Sequence, residues 1–95
     1  MAAYLIADNE ITNEAEFAEY AGQIVAIMEG HGGKYLARGG PAEIVSGDRT
    51  PHRVVIVEFP SMEQAQACVT SAEYLAIADI RDKSSITTTI LVEGI

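Results

Sequence analysis

The stretch Arg53-Val54-Val55-Ile56-Val57-Glu58-Phe59-Pro60 decides the fold. Its β-branched residues are stiff at χ1 and pack well on a pleated surface, and Pro60 has no N–H with which to carry a ladder further. The run predicts a strand ending at Phe59. Successive side chains of a strand point to opposite faces, so Val55 and Val57 lie on one side and Val54 and Ile56 on the other. Both sides are apolar, which predicts a central strand with a cover on each face.

Downstream of Pro60, Ser61-Met62-Glu63-Gln64 pairs a hydroxyl with Gln64 three residues on, a capping-box pattern ahead of Ala65, Ala67, Cys68 and Val69. A helix starts there. Thr70-Ser71, followed by Glu73 and Tyr74, interrupts it, and Leu75, Ile77, Ala78 and Ile80 continue it to about Arg81, so the helix is bent or split. Ser85 to Val92, with three threonines before Ile90-Leu91-Val92, reads as the last strand. Upstream, Gly47-Asp48-Arg49-Thr50-Pro51 is a turn cluster. Before it, Ala42 to Ser46 reads as a short extended piece, and Lys34 to Arg38 as a strand broken by Gly39-Gly40-Pro41.

The N-terminal part completes the pattern. Ala3 to Ile11 is a strand, and Thr12-Asn13-Glu14 caps a helix whose Phe17, Tyr20, Ile24, Ile27 and Met28 form one apolar stripe. Gly30 and Gly32-Gly33 end that helix. The element order is that of a doubled split βαβ, an α+β ferredoxin-like βαββαβ sandwich with both helices on one face. Because the strands are apolar on both faces, the open face needs its own cover. A second copy of the sheet supplies one, and a two-fold homodimer is expected.

At 95 residues the chain has room for one core, so a single domain spans 1–95. Hydrophobic residues make up 48% of it, but no apolar run reaches the ~20 residues needed to cross a bilayer. The N-terminal MAAYLIADNE has no basic segment ahead of an apolar one, which predicts an intracellular, cytoplasmic chain with no membrane partner. Six Lys+Arg against fourteen Asp+Glu give a net charge of -8, a field that repels phosphate backbones and argues against nucleic acid.

Several motifs resemble the DUF1330 proteins: His31-Gly32-Gly33, then Tyr35-Leu36-Ala37-Arg38-Gly39-Gly40-Pro41, Val54 to Pro60 (VVIVEFP), Ser71-Ala72-Glu73-Tyr74, and Leu91-Val92-Glu93-Gly94. These are small bacterial domains of unknown function in the dimeric α/β-barrel superfamily, and the likeness runs over nearly the whole chain. It implies a ferredoxin-like domain pairing its sheet with a partner's. The superfamily's chemistry spans cofactor-free monooxygenases, lactone isomerases, haem-dependent enzymes and stress-induced proteins, so fold does not choose a reaction. Members of the family often carry aromatic residues just before S-x-E-Y, where this chain has Cys68 and Val69. The resemblance therefore implies a roomier pocket, less suited to stacking, if that segment lines one.

Candidate site residues follow from their chemistry. His31 has the pKa range for proton transfer, or it serves the C-terminal carbonyls of its helix. Arg38 offers a planar fork to a carboxylate, or pairs with Glu58 or Asp8. Glu58, near the end of the most apolar strand, is a proton carrier or a structural partner of Arg38 or Arg53. Tyr74 and Arg81, seven apart, share a helix face and bound a pocket, and Tyr4 and Tyr35 shape its walls. His31 and His52 lie on different elements with no ligand-spaced acid or cysteine, so no metal site is expected. Neither a phosphate loop nor a serine-nucleophile elbow is present, and no tightly bound cofactor is expected. The lone Cys68 forms no internal disulfide and packs as a small apolar residue. Two functions are compatible with this set. One is a cofactor-free enzyme performing proton transfer or oxygenation on a small anionic organic ligand in the cleft between sheet and helices. The other is a non-catalytic small-molecule-binding or stress-associated dimer.

Overall fold

The computed structural model describes all residues, 1–95. The elements run β1 (Ala3–Ile11), α1 (Glu14–Gly30), β2 (Lys34–Arg38), β3 (Arg53–Phe59), α2 (Met62–Val69), α3 (Ala72–Ser84) and β4 (Ser85–Glu93). The four strands form one sheet in the order β2-β3-β1-β4, with every neighbour antiparallel. This is the ferredoxin-like arrangement, and the RVVIVEF strand is interior, as its two apolar faces predict.

Each helix begins where a short polar side chain caps it. Asn13 Oδ1 accepts from the Glu16 N–H at 3.0 Å, Ser61 Oγ from Gln64 N–H at 3.2 Å, and Ser71 Oγ from Tyr74 N–H at 3.2 Å. These caps take up N–H groups that the first turn leaves unbonded. Ser71 also donates to the Cys68 carbonyl at 2.6 Å, so one hydroxyl closes α2 and opens α3. The split that Thr70-Ser71 signals is therefore a genuine break.

The α1 C-terminus turns on its glycines. Gly32 adopts φ +86°, a left-handed conformation that costs any residue with a Cβ. At Gly33 the reason is space: a Cβ would lie 2.7 Å from the Met28 carbonyl oxygen and 2.9 Å from Val57 Cγ1.

One face of the sheet carries the core. Ala3, Leu5 and Ala7 of β1 and Val55, Val57 and Phe59 of β3 are buried against Phe17, Tyr20, Ile24 and Met28 of α1, Ala65 and Cys68 of α2, and Tyr74 and Ile77 of α3. Cys68 is wholly buried, its Sγ 3.7 Å from Met28 Sδ. Burial pushes its thiol up to about 11. The opposite face has no helix over it. Its central row, Ile56–Ile6–Ile90, crosses three strands in register, and Ile86, Ile90 and Val92 are 66%, 52% and 43% exposed.

Two expectations are corrected. Ala42 to Ser46 is not extended strand but part of a long exposed connection between β2 and β3. None of the four strands pairs with it, and β2 remains the edge of the sheet on that side. Cys68 and Val69 do not widen a pocket, because Cys68 points into the core and Val69 packs at its margin. No helix is long and apolar enough to cross a membrane.

Candidate functional site

Between the helix-facing side of the sheet and the pair α1 and α3 lies a narrow cleft. Its floor is Leu5, Ala7 and Asn9 of β1, Val55 of β3, and Thr87 and Thr89 of β4; α1 contributes Tyr20, Ile24 and Met28. Tyr35, Arg53, Tyr74 and Arg81 complete the lining. The small side chain of Ala7 leaves the hollow over the middle strand. The space for the centre of a water-sized sphere is only about 20 Å³, which is room on the scale of a single water.

On α3, Tyr74 and Arg81 lie two turns apart on the same side. Arg81 Nη1 donates to Tyr74 Oη at 2.6 Å, while its Nε donates to Asp82 Oδ1 at 3.0 Å. Because the Tyr74 oxygen accepts from Arg81, its own proton is free to be given to an acceptor in the cleft. Burial works against the Arg81 charge, but the Asp82 carboxylate and the nearby Tyr74 and Tyr20 phenols favour it, and its pKa is raised. Tyr20 is pushed up to about 12, by burial first and then by Tyr74, with Arg81 pulling the other way. Burial likewise raises Tyr35, against the pull of Arg38 and Arg53.

Also on the floor, a polar row crosses three strands in register: Arg53, Asn9 and Thr87. Arg53 Nη1 donates to Asn9 Oδ1 at 3.0 Å, Asn9 Nδ2 donates to Thr87 Oγ1 at 2.8 Å, and Thr87 Oγ1 lies 2.7 Å from Ser85 Oγ. The Arg53 guanidinium sits 5.5 Å from the Phe17 ring centre. Its stem passes Gly39, where a Cβ would stand 3.2 Å from both Arg53 Cγ and Nε. Gly39, at φ +76°, thus makes the turn after β2 and leaves room for this arginine.

The candidate residues divide between this cleft and other places. Tyr35, Tyr74 and Arg81 line it together. Arg38 stands beside it, its guanidinium 5.3 Å from the Tyr35 ring centre, and pairs with neither Glu58 nor Asp8. A register shift between Tyr35 and Ala37 sets Arg38 opposite Val55, on the helix side of β3. His31 lies at the α1 C-terminus, with Nε2 2.8 Å from Glu73 Oε1, and joins α1 to α3 outside the cleft. Glu58 is on the open face, where it accepts from Tyr4 Oη at 3.1 Å and so raises that phenol's pKa. Tyr4 therefore shapes no wall of the cleft. The open face has a broader recess of about 580 Å³, formed where Asp48 to His52 fold over Ile6, Asp8, Glu10 and Ile90. There His52 N–H donates to Asp8 Oδ1 at 2.8 Å.

Asn9 and Arg53 were not singled out as site residues by the sequence. A signal was nonetheless present. In β1 the core-facing positions run Ala3, Leu5, Ala7, Asn9, and an amide where alternation asks for an apolar side chain marks a polar function inside a core.

The family model for the domain of unknown function DUF1330 matches residues 2–95. The chain belongs to the DUF1330 family. Among curated proteins no sequence matches this DUF1330 domain. Solved structures do share its fold. A protein of unknown function from Rhodopseudomonas palustris, RPA0582, is 16% identical with a TM-score of 0.77, over 99% of this chain and 82% of its own. SnoaB, a cofactor-independent oxygenase from Streptomyces nogalater, is 13% identical at 0.70, over 99% and 93%. A dimeric ferredoxin-like protein of unknown function from Jannaschia sp. is 11% identical at 0.66, over 99% and 100%. At these identities the likeness is one of fold.

Proposed function

We propose that this DUF1330 domain takes a small organic anion into the cleft between its sheet and helices and exchanges a proton with it through Tyr74, steadied by Arg81. The observation that carries the reading is an inversion of charge. The chain has fourteen acids and six Lys+Arg, yet the cleft is lined by two arginines, three tyrosines and no carboxylate. A cation in a cleft walled by low-dielectric side chains attracts an anion far more strongly than one in water. As Tyr74 gives its proton to a ligand oxygen, the guanidinium 2.6 Å away stabilises the phenolate left behind. The held acid is then turned over by proton transfer or, with dioxygen as co-substrate, by oxygenation. The oxygenase SnoaB is a neighbour in fold and lends support of that kind only.

Two chains pair across their open faces in this proposal. The Ile56–Ile6–Ile90 row with Ile86 and Val92 is too apolar to favour exposure, and dimeric proteins of the same fold support a homodimer. His31 and Glu58 are given structural places, at the α1–α3 junction and beside Tyr4.

Thermal unfolding in the presence of small carboxylates and aromatic acids tests the reading. A binding acid raises the midpoint of the wild type, and Tyr74→Phe and Arg81→Gln reduce that rise. No stabilisation by any acid, with both variants folded and unchanged, refutes it. Consumption of a stabilising acid separates turnover from binding alone.

A further inference from the structure

The connection between β2 and β3 carries a hole and a knob side by side. Its root, Asp48 to His52, lies over the open face and is pinned there by the His52 N–H, which donates to Asp8 Oδ1 at 2.8 Å. Between root and sheet is the recess of about 580 Å³, with Ile6, Val54, Ile86 and Ile90 among its lining. In the single chain this apolar floor stands open, and Ile86 and Ile90 are more than half exposed.

Just ahead of the root the chain bends at Gly47, where φ is +95°, and holds out Ile44 and Val45. Val45 is 96% exposed and Ile44 is 45% exposed; neither enters the core and neither lines the recess. Apolar surface of this kind gains by being covered. The flanking charges are complementary as well. Glu43 sits beside the tip and Arg49 on the recess, and neither forms an ion pair within the chain.

An unrelated partner that fills the recess leaves the tip bare unless it also brings a matching hole. A second copy of this chain brings both. Since hole and knob belong to one connection on one face, a two-fold axis beside it sets each against its counterpart, and both are satisfied together. Dimeric proteins of the same fold favour that occupant. The length of the connection fits such a use, because β2 and β3 are antiparallel neighbours that a tight turn could join.

We infer that in the homodimer the Ile44-Val45 tip of each chain enters the open-face recess of its partner, with Glu43 beside the partner's Arg49. This rests on the pairing of open faces and names the segment that locks it. The recess is half a site in one chain, and the second copy completes it.

The test is the dimer dissociation constant from sedimentation equilibrium, with folding checked by circular dichroism. Val45→Asp places a charge at the tip, and at 96% exposure the single chain has nothing there to lose. It should weaken the dimer by about tenfold or more, whereas Leu75→Asp, the same charge at an exposed position on α3, should leave it unchanged. Glu43→Arg sets two arginines together and should weaken the dimer by about tenfold; adding Arg49→Glu reverses both charges and should restore it. A dimeric wild type whose affinity neither Val45→Asp nor Glu43→Arg alters overturns the inference, and leaves the pairing of open faces standing if Ile56→Lys still separates the chains. A wild type that stays monomeric overturns both.

Discussion

Alanine at Gly33 and alanine at Gly22 should move stability in opposite directions, although both remove a glycine next to or within the same helix. Gly33 follows α1 and sits where the chain turns under the sheet. A Cβ there would stand 2.7 Å from the Met28 carbonyl oxygen, 2.9 Å from Val57 Cγ1 and 3.1 Å from Phe59 Cε1. The first is backbone, and Val57 and Phe59 are wholly buried, so none can step aside cheaply. Overpacking of this kind costs about 1–3 kcal/mol. Displacing the turn also endangers the 2.8 Å bond from Gly33 N–H to that same carbonyl. Gly22 lies inside α1 with nothing within 4 Å of an added Cβ. Alanine there improves helix propensity by about 1 kcal/mol. For a domain of this size each kcal/mol moves the melting midpoint by roughly 4–8 °C. Gly33→Ala should therefore melt well below the wild type and Gly22→Ala several degrees above it, read by circular dichroism at equal protein concentration. A Gly33→Ala protein as stable as the wild type would refute the close approach of α1's end to β3.

Alkaline stability should depend on Cys68. Its thiol ionises near 9.0 when unfolded and at about 11 when buried, so the folded chain keeps a proton that the unfolded chain gives up. The stability is complete below pH 9 and is lost toward pH 11, at about 1.4 kcal/mol per pH unit. Tyr20, raised from 10.0 to about 12, adds the same slope from pH 10 upward. Urea unfolding between about pH 8 and 10 should show the earlier slope in the wild type and not in Cys68→Ala; an unchanged slope counts against burial of the thiol as its cause. Ile56→Lys and Ile90→Glu place charges on the open face. Sedimentation should find the wild type dimeric and either variant monomeric with unchanged far-UV circular dichroism, whereas a monomeric wild type removes the basis for pairing.

Much of the architecture was legible in one dimension because its signals are local. Asn13, Ser61 and Ser71 cap helices through bonds to residues three positions on, and such bonds depend on sequence spacing alone. The β-branched run before Pro60 carries its two apolar faces in its own alternation. Ala42 to Ser46 misled because strand propensity says nothing about whether a neighbour offers hydrogen bonds.

The site was legible by halves, and the division has a physical cause. Tyr74 and Arg81 share one helix, so the 3.6-residue repeat alone placed them on one face. Tyr35, Asn9 and Arg53 reach the cleft only through strand register, which sets Arg53 beside Asn9 across residues far apart in the chain. The same register put Glu58 with Tyr4 on the other face, since neighbours in a strand point opposite ways. Sequence by itself determined the elements, their caps and the demand for cover on both faces of RVVIVEF. Tertiary structure alone decided which polar groups meet, because pairing between strands is a long-range choice that no local spacing encodes.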